Sequence, residues 1–242
     1  AFSIPITTTV VGWDRLDFEE PFAEPPVVIV SPGASPGGQP FTVKIQEVSE
    51  TGFDMQTWEP EGPNPPWHMD VQGTFFAIRP GVYHLPGGFT VVAGTVETST
   101  LQASETVTSV TPGWDAVDFG YAFDSPPLVL ATIQTANNER GVAPGTDYSE
   151  PWMVAAVNNI TATGFDVALD KGQVDDIGGT PIVAETVGFV AVTRNVHDVL
   201  VDAVGDPVRF EAIHESIPEE TLWGIDNPQY CMPLLNDYDD TP

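Results

Sequence analysis

Two stretches of the chain combine aromatic side chains with prolines and polar groups, a composition suited to holding a sugar ring. Residues 58–70 read WEPEGPNPPWHMD, and residues 135–151 read TANNERGVAPGTDYSEP, with a tryptophan directly after them. Proline stiffens a loop, so an aromatic face can be presented to a ligand at little entropic cost. The predicted ligand-binding residues are Trp58, Trp67, His68, Arg140, Tyr148 and Trp152. The alternative is that both stretches form oligomer contacts or pack as lids.

Four aspartates recur at matching places and are the candidate metal ligands: Asp14, Asp17, Asp115 and Asp118. Carboxylate oxygens are hard ligands of the kind that Ca²⁺ prefers. The alternative role is structural, because an aspartate in a turn accepts hydrogen bonds from nearby backbone N–H groups. Ca²⁺ is therefore the one cofactor the sequence suggests, and neither an EF-hand nor a nonapeptide calcium motif supports it.

Motifs of catalysis are missing from the sequence. It has no Gly-x-Ser-x-Gly elbow, no Walker loop, no His-Glu-x-x-His and no Cys-x-x-Cys. The four histidines are scattered, and none recurs between the matching halves of the chain. We therefore expect a protein that is not an enzyme and has no catalytic residues.

The chain contains an internal repeat. GWDRLDFEEPFAEPPVVIV, which begins at Gly12, matches GWDAVDFGYAFDSPPLVLA, which begins at Gly113, at an offset of 101 residues. The offset then becomes 112 at the two TGFD segments and 114 at TFFAIR and GFVAVT. The second copy thus carries about eleven extra residues, which we place in a surface insertion at residues 135–151.

The local pattern in each copy is that of short antiparallel strands. Apolar runs such as VVIV and LVLA follow Pro-Pro pairs, FTVKIQEV alternates apolar and polar residues, and the TGF segments place a glycine where a turn needs φ > 0. The sequence predicts an all-β protein of two tandem antiparallel β-sandwich domains. The predicted divisions are residues 1–100 for the first repeat, 101–217 for the second, and 218–242 for an extended acidic C-terminal arm.

The charge balance excludes two classes of partner. Thirty-five acidic residues face seven basic ones, giving a net charge of −28. Such a chain repels nucleic-acid phosphates and anionic lipids, and its surface stays soluble in brine. No stretch approaches the roughly 20 apolar residues needed to cross a bilayer. We expect no nucleic-acid partner, no membrane insertion, and an extracellular or virion surface in saline or marine surroundings.

The ordered set of apolar positions resembles the H-type lectin family and related repeats of marine bacterial and phage proteins. In the first copy the set is Trp13, Phe18, Phe22, Pro25, Val27, Val48, Gly52, Phe53, Phe75, Ala77 and Ile78. In the second copy it is Trp114, Phe119, Phe123, Pro126, Leu128, Ile160, Gly164, Phe165, Phe189, Ala191 and Val192. The resemblance implies a six-stranded antiparallel sandwich that often trimerises and binds sugars at cell surfaces.

Two functions follow as expectations. The first is a non-catalytic, surface-exposed, lectin-like adhesion or attachment protein, for example a phage virion component that binds glycans or a host surface. The alternative is a structural assembly subunit, such as a capsid decoration, tail or filament protein, that binds only neighbouring subunits. The aromatic loops favour the first function. The apolar residues within the C-terminal arm favour the second, since they need a surface to pack on, and they predict self-association into a trimer or a larger assembly.

Overall fold

The computed structural model describes residues 2–6, 13–32, 42–58, 71–102, 113–138, 153–170, 182–194, 196–201 and 207–212. These residues form fifteen strands and one three-residue 3-10 turn, Pro86–Gly88, with no α-helix among them. The all-β prediction is confirmed at this level. The predicted C-terminal arm, residues 218–242, lies outside the described residues.

The strands follow the chain in two series. The first is β1 Phe2–Ile6, β2 Asp14–Asp17, β3 Val27–Pro32, β4 Thr42–Ser49, β5 Gly52–Trp58, β6 Val71–Ile78, β7 Gly81–Leu85 and β8 Phe89–Thr98. The second is β9 Asp115–Asp118, β10 Leu128–Ile133, β11 Val154–Asn158, β12 Gly164–Asp170, β13 Glu185–Val192, β14 Val196–Val201 and β15 Pro207–Ala212.

The first sandwich consists of a β1–β6–β3 sheet and a β2–β5–β4 sheet, both antiparallel. Alternating side chains of the two sheets meet between them. The buried cluster there consists of Leu16, Val28, Val43, Ile45, Phe53 and Met55, with Val30, Phe75 and Ala77 packed against it.

The second sandwich repeats this order with a β10–β13–β8–β7 sheet and a β11–β12–β9 sheet. Its buried cluster includes Val92, Ile133, Phe165, Val167, Leu169, Val187, Phe189 and Ala191. Phe75 of β6 and Phe189 of β13 are equivalent positions at the offset of 114. Phe2 of β1 lies opposite Phe75, and Gly94 of β8 lies opposite Phe189. Strand β8 therefore takes the place in the second sandwich that β1 holds in the first. The hydrogen bonding thus groups residues 89–98 with the second copy. These residues precede the predicted division between residues 100 and 101. That division stays a prediction.

The repeated GWD…DF…F stretch has the same structural role in both copies. The N–H groups of Phe18 and Phe22 donate to the carbonyls of Thr51 and Glu50, both at 2.8 Å. In the second copy Phe119 and Phe123 donate to Thr163 and Ala162, at 2.9 and 2.8 Å. The paired rings also touch edge to face, with centroids 4.9 Å apart for Phe18–Phe22 and 5.5 Å apart for Phe119–Phe123. The repeated residues therefore dock one turn on the next hairpin and build the core.

The glycine of each TGF segment is required by a close backbone approach. A Cβ at Gly52 would lie inside van der Waals contact with the Leu16 carbonyl oxygen, and one at Gly164 would meet the Val117 oxygen in the same way. Gly164 has no left-handed φ. The reason predicted from the sequence, a turn that needs φ > 0, is therefore wrong for Gly164.

The two sandwiches are packed against each other. A third buried cluster joins Val27 of the first sandwich to the β10–β13–β8–β7 sheet of the second. Its members in that sheet are Phe89, Val91, Ala93 and Val190. Strand β3 is apolar on both faces because Val28 points into its own sandwich while Val27 points into this interface.

Two buried polar contacts cross the same junction. The N–H of Val28 donates to the side-chain oxygen of Gln134 at 2.7 Å, and the ammonium of Lys44 donates to the carbonyl of Met153. Each of these hydrogen bonds contributes about 1–3 kcal/mol in addition to the apolar contacts of the third cluster. The contacts across the junction are therefore both apolar and polar.

Candidate functional site

The base of the predicted insertion is held by a buried carboxylate. Glu185, the first residue of β13, is only 1% exposed. Its Oε2 accepts hydrogen bonds from the Thr135 hydroxyl and from the Asn137 N–H at 3.1 Å. Its Oε1 accepts from the Asn138 N–H at 2.8 Å and from the Asn138 side-chain amide at 2.6 Å. Four donors from residues 135–138 thus converge on one buried charge.

Further hydrogen bonds attach two of these residues, Asn137 and Asn138, to the segment that leads into β13. The side-chain amides of Asn137 and Asn138 donate to the carbonyls of Ala184 and Val183, at 2.8 and 3.0 Å. The Val183 N–H donates back to Asn138 Oδ1 at 2.9 Å. These bonds fasten the two asparagines to the exposed residues that lead into β13.

The far end of the insertion is held as well. Met153, directly after Trp152, is 1% exposed, and its carbonyl accepts from Lys44, which is 3% exposed. Residues 139–152 therefore run between two buried anchors, Glu185 at one end and the Lys44–Met153 contact at the other.

The first copy differs from the second at two of these features. Val71 occupies the position of Glu185 at the offset of 114, and nine residues separate β3 from β4 where twenty separate β10 from β11. The carboxylate and the longer connection occur together in the second copy, which identifies Glu185 as part of the insertion's support.

Most of the predicted ligand-binding residues fall outside the described ranges. Trp58 is the last residue of β5, where it pairs with Thr42. The remaining predicted residues, Trp67, His68, Arg140, Tyr148 and Trp152, lie outside the described residues. Their assignment as ligand contacts stays a prediction.

The four predicted metal ligands are positioned by β2 and β9, and three have protein partners. Asp115 Oδ2 accepts from the hydroxyls of Thr98 and Thr100 at 2.6 and 2.8 Å. Asp118 accepts from the Gly120 N–H at 2.7 Å, and Asp17 accepts from Arg15 at 3.1 Å. For the Asp14 side chain the described residues provide no hydrogen-bond partner, while its backbone lies opposite Met55 of β5.

The described part of the chain has no group of three or more histidine, cysteine, aspartate or glutamate side chains placed to hold a metal. The observed contacts favour the alternative role of these aspartates in turns and strand junctions. A Ca²⁺ site at these positions stays a prediction.

Arg15 forms a polar cluster that occurs in the first copy alone among the described repeats. Its guanidinium donates to Asp17, Asp54 and Ser49 at 3.1, 3.3 and 3.0 Å, and also reaches Thr51 at 3.1 Å. The hydrogen bond to Asp17 and the nearby Asp54 raise the pKa of this guanidinium. Ala116 stands at the equivalent position of the second copy, so the cluster supports the bulged end of β4 and is no repeated site.

Sequence reasoning missed Glu185 and Lys44. The available signal was a charged residue inside an otherwise apolar strand, as in AETVGFVAV and TVKI. A charge at such a position is costly to bury unless it is paired, so it marks a specific contact.

Comparison with known proteins gives one weak similarity. No protein-family model matches the chain, and no solved structure matches it. No helix of the described ranges has the length and apolar character to cross a membrane. The chain is similar to Halomucin of Haloquadratum walsbyi, with 23% identity over 209 residues, covering 84% of this chain and 2% of Halomucin. This chain therefore corresponds to a small fraction of the length of that relative.

Proposed function

We propose that this chain is a non-catalytic, surface-exposed adhesion or attachment module that binds glycans through the insertion of its second repeat. The observation that carries the proposal is the pair of buried anchors, Glu185 and Lys44–Met153, at the two ends of residues 139–152.

Anchoring of this kind suits a binding loop. A loop whose ends are fixed loses less conformational freedom when it binds, so more of the contact energy contributes to affinity. Burial of a carboxylate is unfavourable unless each of its oxygens is hydrogen-bonded, as both Glu185 oxygens are. A connection with no role beyond joining two strands would not require such a support, and the first copy, whose connection is shorter, has Val71 in place of Glu185.

The side chains within the insertion suit a carbohydrate. Tyr148 and Trp152 supply flat apolar faces with a polar edge, and Arg140 supplies hydrogen-bond donors. Trp58, at the end of β5, with Trp67 and His68 of the stretch that follows it, is a second candidate contact in the first copy. The six strands of the first sandwich support the finer proposal of an H-type-lectin-like fold.

The proposed setting is extracellular and saline, on a cell or a phage virion. A net charge of −28 keeps a surface hydrated at high salt. The weak similarity to Halomucin of Haloquadratum walsbyi is in line with that setting.

A glycan array probed in molar NaCl, with and without Ca²⁺, tests the proposal. Binding that Tyr148→Ala or Trp152→Ala abolishes would support it, and Trp58→Ala and Trp67→Ala would show whether the first-copy loop contributes. Phe76→Ala is the matched control, because Phe76 is an exposed aromatic on β6, outside both loops. An array without hits overturns the proposal, and dependence of the hits on Ca²⁺ would revive the aspartate site.

The second candidate function is a structural assembly subunit that binds neighbouring copies. The observation that favours it is the β14–β15 hairpin, which pairs with no other strand of the described residues. If the arm locks an assembly, deleting residues 218–242 lowers the molar mass measured by light scattering. An unchanged mass removes the arm from that role.

A further inference from the structure

Strand β8 connects one sandwich to the next. Its first residues pair with β7, from Phe89 opposite Leu85 to Ala93 opposite Gly81. Its other edge pairs with β13 over eight residue pairs, from Val91 opposite Val192 to Thr98 opposite Glu185. A hairpin that follows one sandwich therefore supplies the strand that completes another.

The β14–β15 hairpin repeats this geometry. β14 begins soon after β13 ends, as β7 begins soon after β6 ends, and it pairs with β15 in antiparallel register from Val196–Ala212 to Val201–Pro207. β15 therefore follows β14 along the chain and pairs with it as β8 follows and pairs with β7. Within the described residues only one of its edges is paired, and an unpaired strand edge is a template for another strand.

The place that β15 would fill already exists on the first sandwich. β1 lies on β6 as β8 lies on β13, but with five residue pairs where β8 has eight. β1 also contains Pro5, which has no N–H to donate to the ladder. Of the two equivalent contacts, the β1–β6 contact has fewer hydrogen-bonding groups and is the easier to replace.

We propose that β15 of one copy pairs with β6 of a second copy, in the place that β1 holds, so that copies join head to tail. The β8–β13 pairing within one chain is the model for this contact between two chains. It indicates that the strand which pairs with β6 in the assembly is β15 of another copy. A contact between two different surfaces of each copy can repeat from copy to copy, so it builds a filament, or a ring where the rotation between copies closes. This inference does not depend on glycan binding.

Charge makes the proposed assembly depend on salt. Each copy has a net charge of −28, so two copies repel each other in dilute buffer. The Debye length falls to about 3 Å at 1 M salt. Head-to-tail pairing is therefore expected in molar NaCl and is expected to weaken strongly below about 0.1 M, where screening extends over about 10 Å.

Site-specific photo-cross-linking on the intact chain tests the proposal. Phe210→benzoylphenylalanine places the probe on β15, and mixing ¹⁴N- and ¹⁵N-labelled protein in 2 M NaCl separates contacts between chains from those within one. The expected result is mixed-isotope cross-links to residues 71–78. Cross-links that are purely of one isotope overturn the proposal.

Release of the β6 edge provides a second test. Deleting residues 1–8 should raise the mixed-isotope yield at least tenfold and give higher molar masses by light scattering. A synthetic peptide of residues 1–8 should reverse both effects, whereas the same peptide with Ile4→Pro should not, because Ile4 lies opposite Gly73 in the ladder. Assembly that persists unchanged with Val208→Pro, which breaks β15, also overturns the proposal. None of these samples contains a glycan, so failure here leaves the glycan proposal as it stands.

Discussion

Replacement of Glu185 by glutamine tests how the insertion is held. Glutamine keeps the size of the side chain and one acceptor oxygen. That oxygen can serve two of the four donors, for example both groups of Asn138. The new amide N–H₂ then faces the Asn137 N–H, which needs an acceptor and finds a donor, and the Thr135 hydroxyl, which loses its charged acceptor and can only accept from the amide.

The size of the effect follows from the lost Asn137 bond and the weakened Thr135 contact. A hydrogen bond to a charged group contributes about 1.5–3 kcal/mol, and the lower cost of burying a neutral amide offsets part of the loss. We expect the free energy of unfolding to fall by about 3 kcal/mol, since the Asn137 N–H is left unpaired and the Thr135 hydroxyl loses its charged acceptor. For a protein of this size that corresponds to a melting temperature roughly 6–12 °C lower.

Thermal unfolding in molar NaCl measures the global effect, and amide hydrogen exchange locates it. Exchange at the Asn137 and Asn138 N–H groups should accelerate more than exchange on β12. Glu97→Gln is the matched control, because it removes the same charge from an exposed site on β8. If Glu185→Gln melts within about 2 °C of that control, the reasoning about the anchor is refuted, because that is less than the effect of 1 kcal/mol.

Three other outcomes are expected. Gly164→Ala should lower the free energy of unfolding by more than about 3 kcal/mol, because its Cβ would overlap the Val117 carbonyl. Gly120→Ala is the control: its Cβ meets no atom within 4 Å, and it should cost only about 1 kcal/mol for its positive φ. Urea denaturation measures both costs, and equal costs would contradict the close-approach argument. Gln134→Ala should cost about 1–3 kcal/mol by leaving the buried Val28 N–H unpaired, and should lower the temperature of the calorimetric transition accordingly; an unshifted transition would show that this hydrogen bond does not stabilise the junction. Raising NaCl from 0.05 to 2 M should raise the melting temperature by screening the net charge of −28; a flat or falling curve would count against charge repulsion as a destabilising factor.

Sequence reasoning succeeded where the pattern is local and repeated. The two Gly-Trp-Asp stretches have the same length in both copies and the same role in the core, and the offsets between the copies placed the extra residues between β10 and β11. These features depend on short-range periodicity and on direct comparison of one half of the chain with the other.

Sequence reasoning failed where contacts are distant along the chain. Nothing local in FTVVAGTVET indicates that β8 pairs with β13, whose partners lie about ninety residues away. Glu185 is one acid among thirty-five, and its partners are forty-seven to fifty residues earlier. Gly164 was assigned a turn conformation, whereas the approach of Val117 from a neighbouring strand is what excludes a side chain.

The central claim is that residues 139–152 form a ligand-binding loop held between two buried anchors. Its most direct test is calorimetric titration of the strongest array ligand into the wild-type chain and into a chain with residues 140–150 replaced by a glycine-serine linker of equal length. The claim predicts saturable binding to the wild type, no detectable heat with the linker, and the same melting temperature for both within about 2 °C, because the anchors are kept. Binding of equal affinity to both proteins would contradict it.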